Sequence, residues 1–306
     1  MFGLNRKNRP IELGPYPLGR LQRDAAAANA EANLAPEDAP LSFSDAAAPL
    51  VKAALTHLDA YQTLQSPEPF AKLAPVPDDL GPRTRDIKGA GYFLDASQIA
   101  VCEIPDNAWL NGNAGAGRHA VVVLAEYSGA IDDGNRAKDW LAGNAHLMAT
   151  LRAAEIAVDL AGQIAAMGFN ARAHWTGATE IGLDKLAVLA GLALRDGERL
   201  INPYLDDRFA LAVVTTDYAL ATDLPLHASA RNGRDLHYFF GGSGAVSGAE
   251  RWRRARRPSH LGPYPVETVK RTQKITTQIF EDEVPRVPSR ANMYVRTALG
   301  DLSKKA

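Results

Sequence analysis

The stretch from Ala145 to Asp217 limits the possible folds of this chain more than any other, because it opens on a long helix that can only be a core helix. Leu147, Leu151, Ala154, Val158, Ala161 and Ala165 recur at steps of three and four, the spacing of one helical face. Arg152, Glu155, Asp159 and Gln163 repeat in the same rhythm and form a narrow polar stripe. Gly168 follows Met167, where a left-handed residue closes a helix at least cost. A helix of 22 residues is about 33 Å long, and charges every few residues exclude a membrane span. Most of its surface is Ala, Ile, Leu and Met, so protein must cover it.

Downstream, Asn170–His174 reads as a short strand, Leu183–Leu194 as a second buried helix and Phe209–Thr215 as a buried, β-branched strand. Upstream, Arg85–Leu94 reads as a helix carrying Lys88 and Tyr92, Ser97–Glu103 and His119–Glu126 as strands, and Leu110–Gly117 as a loop. Ile131–Gly143 is polar and precedes the central helix as a loop or short helix. Helices interleaved with strands argue for layers of helix on sheet. With 306 residues and 46% hydrophobic composition, the chain is long and apolar enough for a sizeable core. The net charge of −1 supplies no global field toward nucleic acid or membrane. The first residues lack a continuous apolar run after their basic residues, so the expectation is a soluble cytoplasmic protein.

Residues 1–82 read as an arm: a Pro- and Gly-rich lead, an Ala-rich passage, then a helix over Asp45–Leu64. Ser44 is its expected cap, and Pro49 is tolerable in its first turn. Five prolines from Pro67 to Pro82 keep the following chain extended. Residues 218–250 are expected to leave the core.

Few residues bid for chemistry. The one cysteine, Cys102, lies in an apolar strand and reads as a buried small hydrophobe. It cannot form an intramolecular disulfide, nor supply four thiolates to an iron–sulfur cluster. His227, His237 and His260 have no metal-ligand spacing. Gly241–Gly248 partly fits a phosphate loop but has no strand leading into it, and reads as a linker. Arg251–Arg257 holds five arginines and a tryptophan; such a segment either contacts nucleic acid by charge and stacking or docks on an acidic surface. Nothing else in the chain supports nucleic acid.

An internal echo is more specific. Arg9–Asp24 reads RPIELGPYPLGRLQRD and Arg257–Thr272 reads RPSHLGPYPVETVKRT, identical at eight of sixteen positions without a gap. Both carry LGPYP, with Tyr16 or Tyr264 between prolines. Pro fixes φ and Gly allows a turn, so each copy suits a rigid extended segment. The second copy looks like the opening of a further unit.

Ile87–Leu110, the central helix with its following strand, and the run from LAVLAGLAL to INPYLDDRFALAVVTTD resemble cobalamin-dependent reductive dehalogenases of the soluble, cytoplasmic type. They resemble epoxyqueuosine reductases more distantly. The resemblance covers about residues 85–225 and the two LGPYP segments. It implies an α+β fold: a nitroreductase-like sheet flanked by helices, with an extended N-terminal arm and a C-terminal tail. It divides the chain into an arm (1–82), a dehalogenase-like core (83–250) and a basic linker with the start of a second, incomplete repeat (251–306). In that family the corrinoid sits in the nitroreductase-like domain, and a module with two four-iron clusters follows. Soluble members resemble a duplicated chain whose first unit has lost the cofactor.

The departures shape the functional expectation. Where the family carries its cysteine run after the segment matching Asp217–Leu226, this chain reads HASARNGRDLHYFFGG, without cysteine. Where the family often has Gly-Glu and Gly-Arg, near Ala193–Gly197, it reads ALRDG. Tyr204 and Arg208 lie in the matching loop but read as structural, so no catalytic residue and no metal ligand is assigned, and no cofactor-binding residue is identified. The expected role is a non-catalytic half with neither cobalamin nor clusters of its own, partnering a catalytic dehalogenase half or itself. The alternatives are an oxidoreductase that holds cobalamin or flavin and uses an external reductant, and a module binding through its basic segment.

Overall fold

A computed structural model describes residues 11–38, 40–110, 112, 115, 117–127, 141–197 and 199–232. The second half of the echo, His237, His260, Gly241–Gly248, Arg251–Arg257 and most of Ile131–Gly143 lie outside these residues.

Four strands form one antiparallel sheet in the order β1-β2-β6-β3, where β1 is Gln98–Glu103, β2 His119–Glu126, β3 Ala171–Trp175 and β6 Phe209–Thr216. An antiparallel sheet with helices packed on it is an α+β arrangement. Each strand is buried on both sides, so the runs VVVL in β2 and LAVV in β6 are apolar throughout rather than alternating. A separate hairpin joins β4 (Leu194–Asp196) to β5 (Arg199–Ile201).

One face of the sheet carries α4, Ala145–Ala166, which packs on β2, β3 and β6. Leu147, Ala154, Ala157, Leu160, Ala161 and Ile164 are buried there against Val121, Val123, Ala173 and Val214. Arg152, Glu155, Asp159 and Gln163 are exposed, as the polar stripe requires, and Gly168 takes φ +91° just past the helix end. Helices α2 (Pro49–Gln62) and α3 (Leu80–Phe93) pack against α4 in turn. The proline-rich chain between them runs past the C-terminus of α4, where Phe70 and Ala74 N–H groups donate to Ala165 and Met167 carbonyls. These are carbonyls that a helix end leaves without partners.

The opposite face carries α5 (Leu183–Leu189), α1 (Ala25–Ala32) packed on it, and the segment around Tyr16. Its buried residues include Ala100, Cys102, Val122, Leu124, Leu186, Ala190 and Leu211. Among the described residues, no helix is long and apolar enough to cross a membrane.

Several boundaries differ from the sequence expectation, each for a local reason. The helix expected from Asp45 starts at Pro49, because Ser44 does not cap it: its N–H and hydroxyl both bond Asn144 Oδ1, tying the arm to the head of α4. The helix expected from Arg85 starts at Leu80, capped by Asp79 through Gly81 N–H. Pro82 is admissible in that first turn, where the missing N–H would have no partner. The helix expected to reach Leu194 stops at Leu189. Gly191 then turns with φ +68°, and a Cβ there would lie 1.9 Å from Arg23 Nη1 and 2.2 Å from the Leu224 carbonyl. The Ala-rich passage holds a helix of its own, α1, capped by Asp24. Residues after Thr216 do not leave the core at once: Tyr218, Leu220 and Leu226 are buried, and Arg23 forms a bridge with Leu226.

Candidate functional site

Two places gather polar side chains: a socket that receives the first LGPYP segment, and a cleft at the end of the sheet.

The socket explains each residue of the segment. Gly14 adopts φ +59°, and a Cβ on it would fall 2.2 Å from Tyr92 Cζ, so only glycine fits against that ring. Tyr16 is 1% exposed. Its hydroxyl donates to Glu126 Oε2 at 2.5 Å, at the end of β2. Its ring lies 5.2 Å from the ring of Tyr204, whose hydroxyl donates to the Pro17 carbonyl at 3.2 Å. Further along, Arg23 Nη1 donates to the carbonyls of Gly191 and Leu224. Tyr204 is itself fixed by Asn202, whose Oδ1 accepts from the Tyr204 and Leu205 N–H groups while its amide bonds Gln98 and the Leu192 carbonyl.

The cleft, about 410 Å³, lies beyond Trp175, the last β3 residue paired with β6. Phe209, Ala210 and Leu211 line it together with Tyr127, His146, Thr176, Asp184 and Asp207. Burial lowers the His146 pKa, so the imidazole is neutral at neutral pH, and its Nδ1 has no hydrogen-bond partner. Tyr127 packs edge-on to His146 at 6.0 Å and donates to the Asp207 carbonyl at 3.2 Å. Burial, assisted by Asp207, raises its pKa and keeps it a phenol. Asp184 is also pushed up by burial, against the opposing charge of Arg195. These shifts disfavour charge, and the cleft suits a small, largely neutral molecule.

The residues singled out by sequence are structural parts here. Cys102 is fully buried beside the Leu186 carbonyl, and burial raises its pKa, so it stays a thiol. Lys88 pairs with both oxygens of Asp223, which also accepts from Val101 N–H. Tyr92 accepts from Ile99 N–H, and His227 Nδ1 bonds Ser229. Arg208 contributes backbone bonds, donating to Leu205 and accepting from Tyr127. Sequence reasoning missed Lys185, Asn202, Asp223 and His146. Only Lys185, a cation inside an apolar helix run, left a signal to find.

No described group of three or more His, Cys, Asp and Glu side chains is placed to hold a metal ion. A four-iron cluster does not fit a chain whose one cysteine is a buried thiol. The described cleft, at the small end of ligand-site volumes, does not fit a corrinoid with its nucleotide tail.

No protein-family model and no curated protein matches the chain. Solved structures do. The catabolic reductive dehalogenase NpRdhA matches with a TM-score of 0.69 and 32% identity over 86% of this chain and 38% of its own. Its complex with 3-bromo-4-hydroxybenzoic acid matches at TM-score 0.68, again with 32% identity, covering 86% of this chain and 38% of that one. A reductive dehalogenase structure bearing on B12-dependent dehalogenation matches at TM-score 0.67 and 32% identity, over 88% of this chain and 38% of that one. The chain has a reductive-dehalogenase-like fold and spans less than two fifths of the length of the dehalogenases it matches.

Proposed function

We propose that this chain is a non-catalytic, dehalogenase-like companion unit that packs with a corrinoid- and cluster-bearing half of a reductive dehalogenase. The observation that carries the reading is Cys102: the chain resembles dehalogenases over 86% of its length, yet its one cysteine is a buried thiol. Electrons for cobalt would have to arrive through another unit. The side chains that sequence singled out serve packing, which suits a supporting role.

A second reading follows from the cleft. An unpartnered His146 Nδ1 facing Tyr127 and Asp184 could hold a small planar molecule, flavin among them. One experiment separates the two. The purified full chain is incubated with hydroxocobalamin or, separately, flavin mononucleotide, desalted, and its visible spectrum recorded. A colourless chain that forms a complex with a separately expressed cluster-bearing dehalogenase half supports the companion role. Retained absorbance at one-to-one stoichiometry overturns it and moves the function to the cofactor-holding alternative.

A further inference from the structure

The two copies of the echo differ in a pattern that the socket explains. The residues that anchor the first copy are Gly14 against Tyr92, Tyr16 on Glu126, Pro17 under Tyr204 and Arg23 on the Gly191 and Leu224 carbonyls. All four are kept in the second copy, as Gly262, Tyr264, Pro265 and Arg271. Leu21, buried in the same cluster, becomes Val269, a loss of one methylene in an otherwise equivalent apolar side chain. Gly19 has no atom within 4 Å of where a Cβ would stand, and there the second copy carries Glu267. Arg20 and Gln22 are exposed, and they become Thr268 and Lys270. Of the partly buried positions, Ile11 and Glu12 alone change character, to Ser259 and His260. Identity is concentrated where the first copy is gripped.

We infer that residues 257–272 are a second key for the same kind of lock, and that their partner is another unit of this fold. That unit presents a carboxylate at the end of its second strand, a tyrosine from the loop before its last strand, and an aromatic ring that receives the glycine. This chain's own socket is excluded as the destination, because Tyr16 already fills it. The identity of the partner as the other half of a dehalogenase rests on the companion reading above; the lock and key do not.

The test is an exchange in the full chain. Residues 9–24 are replaced by RPSHLGPYPVETVKRT, and thermal unfolding is followed by circular dichroism. The chimera is expected to melt cooperatively within about 5 °C of the parent. Changing its transplanted tyrosine to alanine is expected to lower the melting temperature as far as Tyr16→Ala does in the parent. In the unaltered chain, Tyr264→Ala is expected to leave the melting temperature where it was, because that tyrosine serves another unit. A labelled 257–272 peptide should bind the Tyr16→Ala chain at least tenfold tighter than the parent in fluorescence anisotropy. A chimera that does not fold, or one indifferent to loss of its tyrosine, overturns the inference. So does destabilisation by Tyr264→Ala, which would place the segment on its own chain. Retention of cobalamin would sink the companion reading and leave these melting results standing.

Discussion

The two faces of the sheet are built by different physics. On the α4 face, apolar residues from one continuous helix meet alternate residues of four strands, and packing alone joins them. The opposite face is assembled from segments far apart in sequence, and polar pins hold them: Tyr16 to Glu126, Gln98 to Asn202, Lys185 to Ala32, Leu34 and Asn107. A helix can be placed by area buried, because burial is non-directional. A short extended arm has little area to bury, so directional bonds must fix it.

If that contrast is right, the largest single loss should come from a pin. Lys185 is fully buried, and its ammonium donates to the Ala32 and Leu34 carbonyls at 2.9 and 2.7 Å and to Asn107 Oδ1 at 2.7 Å. Lys185→Met keeps the stem's volume and strands three acceptors. A loss of about 4 kcal/mol is expected, each unpaired buried group costing about 1–3 kcal/mol. Urea unfolding checks it, and limited proteolysis should show cleavage near α1 first. Leu160→Ala on the other face removes apolar volume from a fully buried site and should cost about 3 kcal/mol. There, no segment should open ahead of the rest. Equal proteolytic patterns for the two variants would break the comparison.

This contrast also marks what the sequence could reveal. The α4 face was legible because its pattern is local: Leu147 to Ala165 repeats at helical spacing, and the stop at Gly168 lies beside it. The strands were legible as β-branched runs. The pins were not, since Glu126 meets Tyr16 across 110 residues and Lys185 meets Ala32 across 153. No local pattern records such a pairing. The shortened α5 is the same lesson, because its end is decided by Arg23 reaching Gly191 from 168 residues away. The echo was legible as a repeat, but its purpose appeared only when Gly14 was seen against Tyr92.

A smaller effect should appear with pH. His174 is fully buried, bonded through Nε2 to Thr215 Oγ1, and its Nδ1 has no partner. Burial, with a contribution from Arg172, lowers its pKa to about 3. Between that value and the unfolded value of about 6.5, the unfolded chain takes up a proton that the fold refuses. Its stabilising contribution is complete above about pH 6.5 and is lost as pH falls. From pH 7 to pH 5 the expected loss is about 2 kcal/mol. Urea midpoints across that range should show the slope, and His174→Gln should flatten it.

The smallest effect sharpens the distinction between a pin and a surface pair. Arg172 bonds Glu180 at 2.7 Å, with the two side chains 40% and 47% exposed. Pairs that exposed contribute about 0–1 kcal/mol, so Arg172→Gln should barely change the urea midpoint at pH 7. The same substitution removes the one charge that helps depress the His174 pKa. The folded pKa should then rise slightly toward its ordinary value, and the loss of stability near pH 4 should be smaller than in the parent. An exposed pair thus leaves stability at neutral pH alone yet remains visible through the buried group it faces. A large loss at pH 7 would instead make Arg172 a pin, and the division between a packed face and a pinned face would no longer hold at the β3 edge.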